Sequence, residues 1–243
     1  MSTRALLLTL TTTLLALSCT SSLPLPAVPT LSERAREQVD ESYRRRDYAL
    51  RQSMYFGPFF DDPNLVLVAP KPFDELALLT LPGGRNIAPG PVRGILPAGT
   101  RIRIERIELP TTGTVLGRPL LAPRYNPWIV FRVNRFDVDN PHFQDIRHVV
   151  VLPFHVTDPE QLERAVDVLF APEDYRDWLR QRSPQVRSAI EQKQAMKGMT
   201  LAELTAALGM PDRTTREPES PRSTAYFGRR AVTLENDVVV GVE

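Results

Sequence analysis

The chain has 243 residues, 42% of them hydrophobic and 24% charged, with 30 Lys+Arg against 29 Asp+Glu. That length and apolar content allow one or two domains with a real core, and the near-neutral balance removes any general electrostatic drive toward nucleic acid. A single cysteine excludes a disulfide framework, and 23 prolines, near twice the usual fraction of about 5%, imply many turns and interrupted strands.

The N-terminus begins with Arg4 and an uncharged apolar and hydroxylic stretch over residues 5–17. This is too short for a permanent transmembrane helix, which takes roughly 20 apolar residues. The sole cysteine, Cys19, follows directly on Leu15-Ala16-Leu17-Ser18. The arrangement resembles a bacterial lipoprotein signal with its lipobox, although Ala16 and Leu17 stand where Leu and then a small residue are usual. An ordinary secretory signal with a coincidental cysteine is the alternative. The resemblance implies that residues 1–18 are a signal peptide and that the Cys19 thiol takes a diacylglycerol, with palmitate-type acyl chains as the membrane anchor. Thr20, rather than Asp, after the cysteine implies sorting to the outer membrane of a diderm cell, facing the periplasm. Loss of Met1 to Ser18 removes only Arg4, which leaves 29 basic against 29 acidic residues. Acylation also leaves no thiol for metal binding or nucleophilic catalysis.

Residues 19–30 carry Ser21, Ser22, Pro24, Pro26 and Pro29 without an apolar period and read as a tether. In polyproline geometry, at about 3.1 Å per residue, it would hold the body roughly 30 Å from the membrane. Residues 31–54 read as one charged helix, with Ser32 as N-cap, Glu33 and Glu37 early and Arg44-Arg45-Arg46 later. Residues 55–157 read as a β-rich, barrel-like domain. Residues 65–68 predict a short buried strand, residues 72–79 a helical turn, and Gly83-Gly84 a turn. In residues 101–109 Ile102 and Ile104 share one face by period two, whereas Ile107 and Leu109 fall on the other. That change of phase predicts a bulge near Glu105 and Arg106. Residues 128–133 and 147–154 predict two further strands. The stretch Ile95-Leu96-Pro97-Ala98-Gly99-Thr100 leading into residues 101–107 resembles the strand entries of bacterial SH3-like barrels, which would imply peptidoglycan binding.

Residues 158–197 read as a helical connector of three helices. Asp158-Pro159-Glu160-Gln161 has the form of an N-cap, a proline at the first helical position and a capping-box partner. A second helix, over 173–182, would bury Tyr175, Trp178 and Leu179, and Ser183-Pro184 starts a third. Residues 198–243 hold a helix capped by Thr200 and Glu203 and ended by Gly209 and Pro211. Strands follow at 225–227, 231–235 and 238–242, the last two joined by an Asn236-Asp237 hairpin turn. Gly209 is expected in a left-handed conformation, with Leu201, Leu204 and Leu208 facing the final hairpin. The order resembles the SmpA/OmlA (BamE-like) lipoprotein module, with Asp237 where the family's last turn usually has Gly. The resemblance implies a helix plus an antiparallel β-meander that supports outer-membrane barrel assembly through protein contacts.

Recognisable catalytic and phosphate-loop motifs are missing. His142, His148 and His155 do not have zinc-ligand spacing. Asp137-Val138-Asp139-Asn140 starts like a calcium loop, but Pro141 breaks the pattern. Glu105, Glu108, Asp137 and Asp139 could supply a carboxylate pair for glycan cleavage, although acids alternating with arginine more often form a solvated face. Residues 93–135 hold eight Arg and two acids, and residues 158–177 seven acids and two Arg. These blocks suggest acidic helices packed against a basic barrel, or a basic face for anionic envelope polymer. The sequence thus points to an α+β, non-enzymatic envelope lipoprotein without cofactor or metal, attached to the membrane by Cys19 and working with an envelope protein partner. A peptidoglycan-binding lipoprotein is the alternative, and a wall hydrolase is the third reading.

Overall fold

The computed structural model describes residues 32–76, 87–134, 146–156, 158–172, 174–216 and 220–243. Cys19, the tether, Gly83, Gly84, Asp137, Asp139 and His142 lie outside the described residues. The fold is mixed α+β, with a curled eight-stranded half-barrel, six α-helices among the described residues and a C-terminal four-stranded antiparallel sheet.

Helix α1 (Glu33–Tyr43) starts on Ser32, whose side chain accepts the Ala35 amide. It ends well short of residue 54. Arg44 is extended and Arg45 has φ 60°, so the arginine run is a turn rather than part of the helix. The chain then enters β1 (Asp47–Leu50) and β2 (Met54–Phe59). The physical reason is tertiary. Leu50 and Met54 are fully buried in the sheet core, and β1 pairs with β5 (Arg101–Glu108), where helix would leave both edges open. After β3 (Asp62–Ala69) comes a short 3-10 turn at Phe73–Glu75, then β4 (Gly94–Leu96).

The bulge in β5 is present: its register with β6 (Trp128–Val133) shifts between Ile104 and Arg106. The extra residue restores the phase, so Ile102, Ile104 and Ile107 all enter one core. That core also takes Val39 of α1 and Leu162, Val166 and Leu169 of α3 (Pro159–Leu169). A second core on the opposite face gathers Phe59, Leu67, Trp128, Val130 and Val149. The central strands are therefore buried on both faces, which explains their continuous apolar runs. The sheet order is β4-β2-β3-β7-β6-β5-β1-β8, with β7 at Arg147–Val151 and β8 at Phe170–Ala171. Among the described strands only the β3–β7 pair is parallel. Helix α3 has its expected Asp158 cap and Pro159 start, and β8 follows it directly to pair with β1, so α3 and β8 belong to the half-barrel.

Helices α4 (Tyr175–Arg180) and α5 (Pro184–Glu191) lead to α6 (Leu201–Leu208). The Thr200–Glu203 capping box is complete on both sides. The meander β9 (Arg213–Arg216), β10 (Arg222–Phe227), β11 (Arg230–Glu235) and β12 (Val238–Val242) follows. Asn236 and Asp237 turn the last hairpin with φ 49° and 61°, so Asp237 fills the left-handed position without glycine. Leu204 and Leu208 pack against Ala225, Val232, Leu234 and Val239. Leu201 does not join them and stays 37% exposed: its amide donates to the Asp237 carbonyl of the last hairpin, but it lines a recess shared with Tyr175 and Trp178.

Candidate functional site

The corner between β1 and β2, Arg51-Gln52-Ser53, is where the half-barrel meets the C-terminal unit. Ser53 is fully buried and spends every polar atom there. Its amide donates to the Ala206 carbonyl at 2.9 Å, and its Oγ donates to the Ile190 carbonyl at 2.7 Å. That Oγ also accepts the Ala98 amide at 2.9 Å, and its carbonyl accepts Lys193 Nζ at 2.5 Å. Lys193 donates as well to the Ala207 carbonyl at 3.0 Å and lies 5.1 Å from the centre of the Tyr55 ring. The carbonyls of Ala206 and Ala207 belong to the last turn of α6, which has no intrahelical donors for them and carries partial negative charge. Burial, and then the charge of Arg230, push the Lys193 amine down to about 7.

Gln52 donates to the Val168 carbonyl at 3.3 Å. Its buried Oε1 has no hydrogen-bond donor among the described residues and lies against Gly209. Gly209 has φ 91° and ψ −168°, a glycine-only conformation outside the left-handed helical region expected for it. A Cβ there would strike the Gln52 side chain. On the other flank Lys71, beyond β3, pairs with Asp212 at the entry to β9. Partial burial of the Asp212 carboxyl opposes ionisation, but the Lys71 hydrogen bond and the Gly228 amide hold its pKa below the usual range. The recess between these groups, about 240 Å³, is lined by Tyr55, Glu75, Lys193, Phe227 and Arg230. Around the corner Tyr175 donates to the Arg51 carbonyl at 2.7 Å and stacks on Trp178 at 5.2 Å. Arg182 in turn bridges Trp178 and Glu203. Tyr175 and Trp178 are thus half-buried joints, and Trp178 and Leu179 pack against the C-terminal core.

Two of the open surfaces among the described residues flank these elements. The outer edge of β9 pairs with no strand among the described residues, and Arg213, Thr214, Thr215 and Arg216 are all exposed. An apolar groove of about 950 Å³ lies where β3 and β7 part beyond Leu67 and Val149, under α3. Val68, Leu152, Phe154 and Val168 line it, with His155 and Arg164 also in the lining.

The residues considered for catalysis do not converge. Glu105 is held by Arg132 at 2.5 Å and Arg147 at 3.0 Å. Partial burial raises its pKa, but the hydrogen bond and charge of Arg132, then Arg147, outweigh that and lower it. Glu108 is taken by Arg106 and Arg118. His148 is fully buried in the sheet, stacked on Phe131 at 5.5 Å. Burial pushes it down to about 4 against the pull of the Ile146 backbone, so it is neutral at physiological pH. His155 is exposed. No cluster of three metal-ligating side chains occurs among the described residues. The basic and acidic blocks are each neutralised near home: Arg103 pairs with Asp47, Glu160 with Arg164 and Asp177 with Arg180.

Sequence reasoning missed β9, Ser53 and Lys193. Lys193 left one usable signal, as one of three lysines in an arginine-rich chain. No protein-family model, curated protein or solved structure matches this chain.

Proposed function

We propose that this protein is a lipid-anchored cell-envelope protein that works by protein–protein contact, in outer-membrane assembly or envelope integrity. Cys19 carries the anchor, the C-terminal helix and meander serve as a BamE-like contact module, and no residue acts as a catalyst. The observation that carries the reading is the β9 edge, unpaired among the described residues, on a unit fixed to the body through Ser53 and Lys193. An exposed edge strand is a ready template for a partner strand. Arg213 and Arg216 at its ends favour a partner with acidic flanks.

The test is a photo-crosslinker at Thr215 in living cells. The expected product is a defined adduct with an envelope protein, lost in the Arg213→Glu/Arg216→Glu double variant. Crosslinking equal to that at the exposed, off-edge Gln185 would sink the proposal. Co-sedimentation with purified peptidoglycan, unchanged by the same charge reversal, would instead support wall binding through the half-barrel.

A further inference from the structure

Among the described residues, the most exposed large hydrophobic side chains of the half-barrel sit together in the β5–β6 connection. Leu116 is 74% exposed, Leu120 75% and Leu121 51%. In the middle of them Arg118 is only 6% exposed. This inverts the usual partition, in which leucine goes inside and arginine outside. The inversion is built. The Arg118 guanidinium donates to the carbonyls of Arg124 and Asn126, both at 2.7 Å, and to Glu108 at 3.2 Å. It lies 3.8 Å over the Trp128 ring. Arg124 reaches back to the Val115 carbonyl at 2.7 Å, and Thr111 and Thr114 cap the short helix α2 (Thr112–Gly117) on which Leu116 sits. A polar scaffold underneath thus pins the loop at both ends, and the leucines between the pins face outward.

Two further observations say what they meet. The chain from 109 to 134 contains no acid, and its unburied basic residues include Arg124. The loop also lies at the end of the molecule where the described chain begins. The Arg45 amide bonds the Ile104 carbonyl, and Asp40 Oδ1 accepts the Ile107 amide. Moving back along α1 toward Ser32 is therefore moving forward along β5 toward Glu108 and the leucine loop. At 1.5 Å per residue Ser32 lies about 12 Å beyond Asp40. The C-terminal unit is joined near the other end of β5, where Ala98 enters the C-terminal core and Ser53 of the β1–β2 corner bonds Ala206 and Ile190.

We infer that Leu116, Leu120 and Leu121 form a preorganised tip that dips into the surface of the lipid bilayer, beside the membrane anchor, and so orients the body with β9 pointing away from the membrane. The inference rests on the lipid-anchor reading for its choice of surface. Aliphatic side chains backed by arginine suit the boundary between acyl chains and anionic headgroups.

The test uses the full chain, processed in cells and reconstituted into phosphatidylethanolamine–phosphatidylglycerol vesicles. Leu120→Cys carries an environment-sensitive dye; Arg216→Cys is the reference on β9 of the C-terminal unit. Both side chains are exposed, so the fold tolerates both, and Leu116→Cys is a second loop position. Nitroxide-bearing lipids should remove about half or more of the emission at 120 and leave 216 unchanged, because an interfacial segment sits some 5–10 Å into the headgroup boundary. Equal quenching at 120 and 216 in vesicle-bound protein would overturn the inference, as would a dye at 120 that is shielded only when an envelope protein is added. The mass of the N-terminal peptide reads acylation of Cys19 separately. Quenching at 120 in a chain without acyl groups would uphold the tip and remove the anchor; an acylated chain without quenching would do the reverse.

Discussion

At the scale of single residues, Lys193 sets a pH dependence. Its amine falls to about 7 in the fold from an ordinary 10.5. Between these values the unfolded chain binds the extra proton, so stability rises with pH across the window and is lost as pH falls toward and through 7. Urea unfolding should therefore gain about 2 kcal/mol from pH 7 to pH 9, and Lys193→Met should flatten that slope. An unchanged slope in the variant would mean that the ammonium is solvated. Tyr175, pushed up to about 12 by burial, acts only above this window. Cys19 makes the second residue-scale prediction. Anchoring by acyl chains rests on about 0.8 kcal/mol per buried methylene, so Cys19→Ala should leave the chain soluble or held by an uncleaved signal. A variant processed at the same place and still pelleting with the outer membrane would refute the anchor.

At the scale of elements, the end of α6 is the sensitive point. Gly209 is required there for its positive φ and because Gln52 fills the space a side chain would need. Gly209→Val should cost well over 1 kcal/mol, since backbone strain and the collision add. Gln52 belongs to the β1–β2 corner, so the damage should reach the half-barrel as well. Hydrogen exchange that speeds up in β10 and β11 but not in β2 would show that the loss stays local. The β5 bulge is the other element-level device. It turns a strand with a broken apolar alternation into one that delivers three isoleucines to one core.

The whole molecule is tied together by polar groups that only the assembled chain satisfies. Ser53, Lys193 and Lys71 all bond across the junction of the two sheets. Separating the units would leave several buried donors and acceptors without partners, at about 1–3 kcal/mol each. Calorimetry should accordingly give one unfolding transition. Ser53→Ala should lower its midpoint while keeping it single; two resolved transitions in the unaltered protein would show that the units are independent. The same rigidity is what would let a membrane-facing loop at one end fix the direction of β9 at the other.

Local chemistry was legible in the sequence. The caps at Ser32, Asp158, Ser183 and Thr200, the Asn236-Asp237 turn, the bulge near Glu105 and strand β6 depend on neighbours within a few residues, and each is where its pattern placed it. Long-range pairing decided the rest. Residues 47–50 carry a helical charge pattern yet form a strand, because β5 and β8 supply the hydrogen bonds on either side. Strand β9 has no apolar alternation and exists through its ladder to β10. Leu201 turns outward and Arg118 inward, because the partners that bury or expose them lie elsewhere in the chain. Periodicity records what a segment prefers; it cannot record which distant carbonyl will take Lys193.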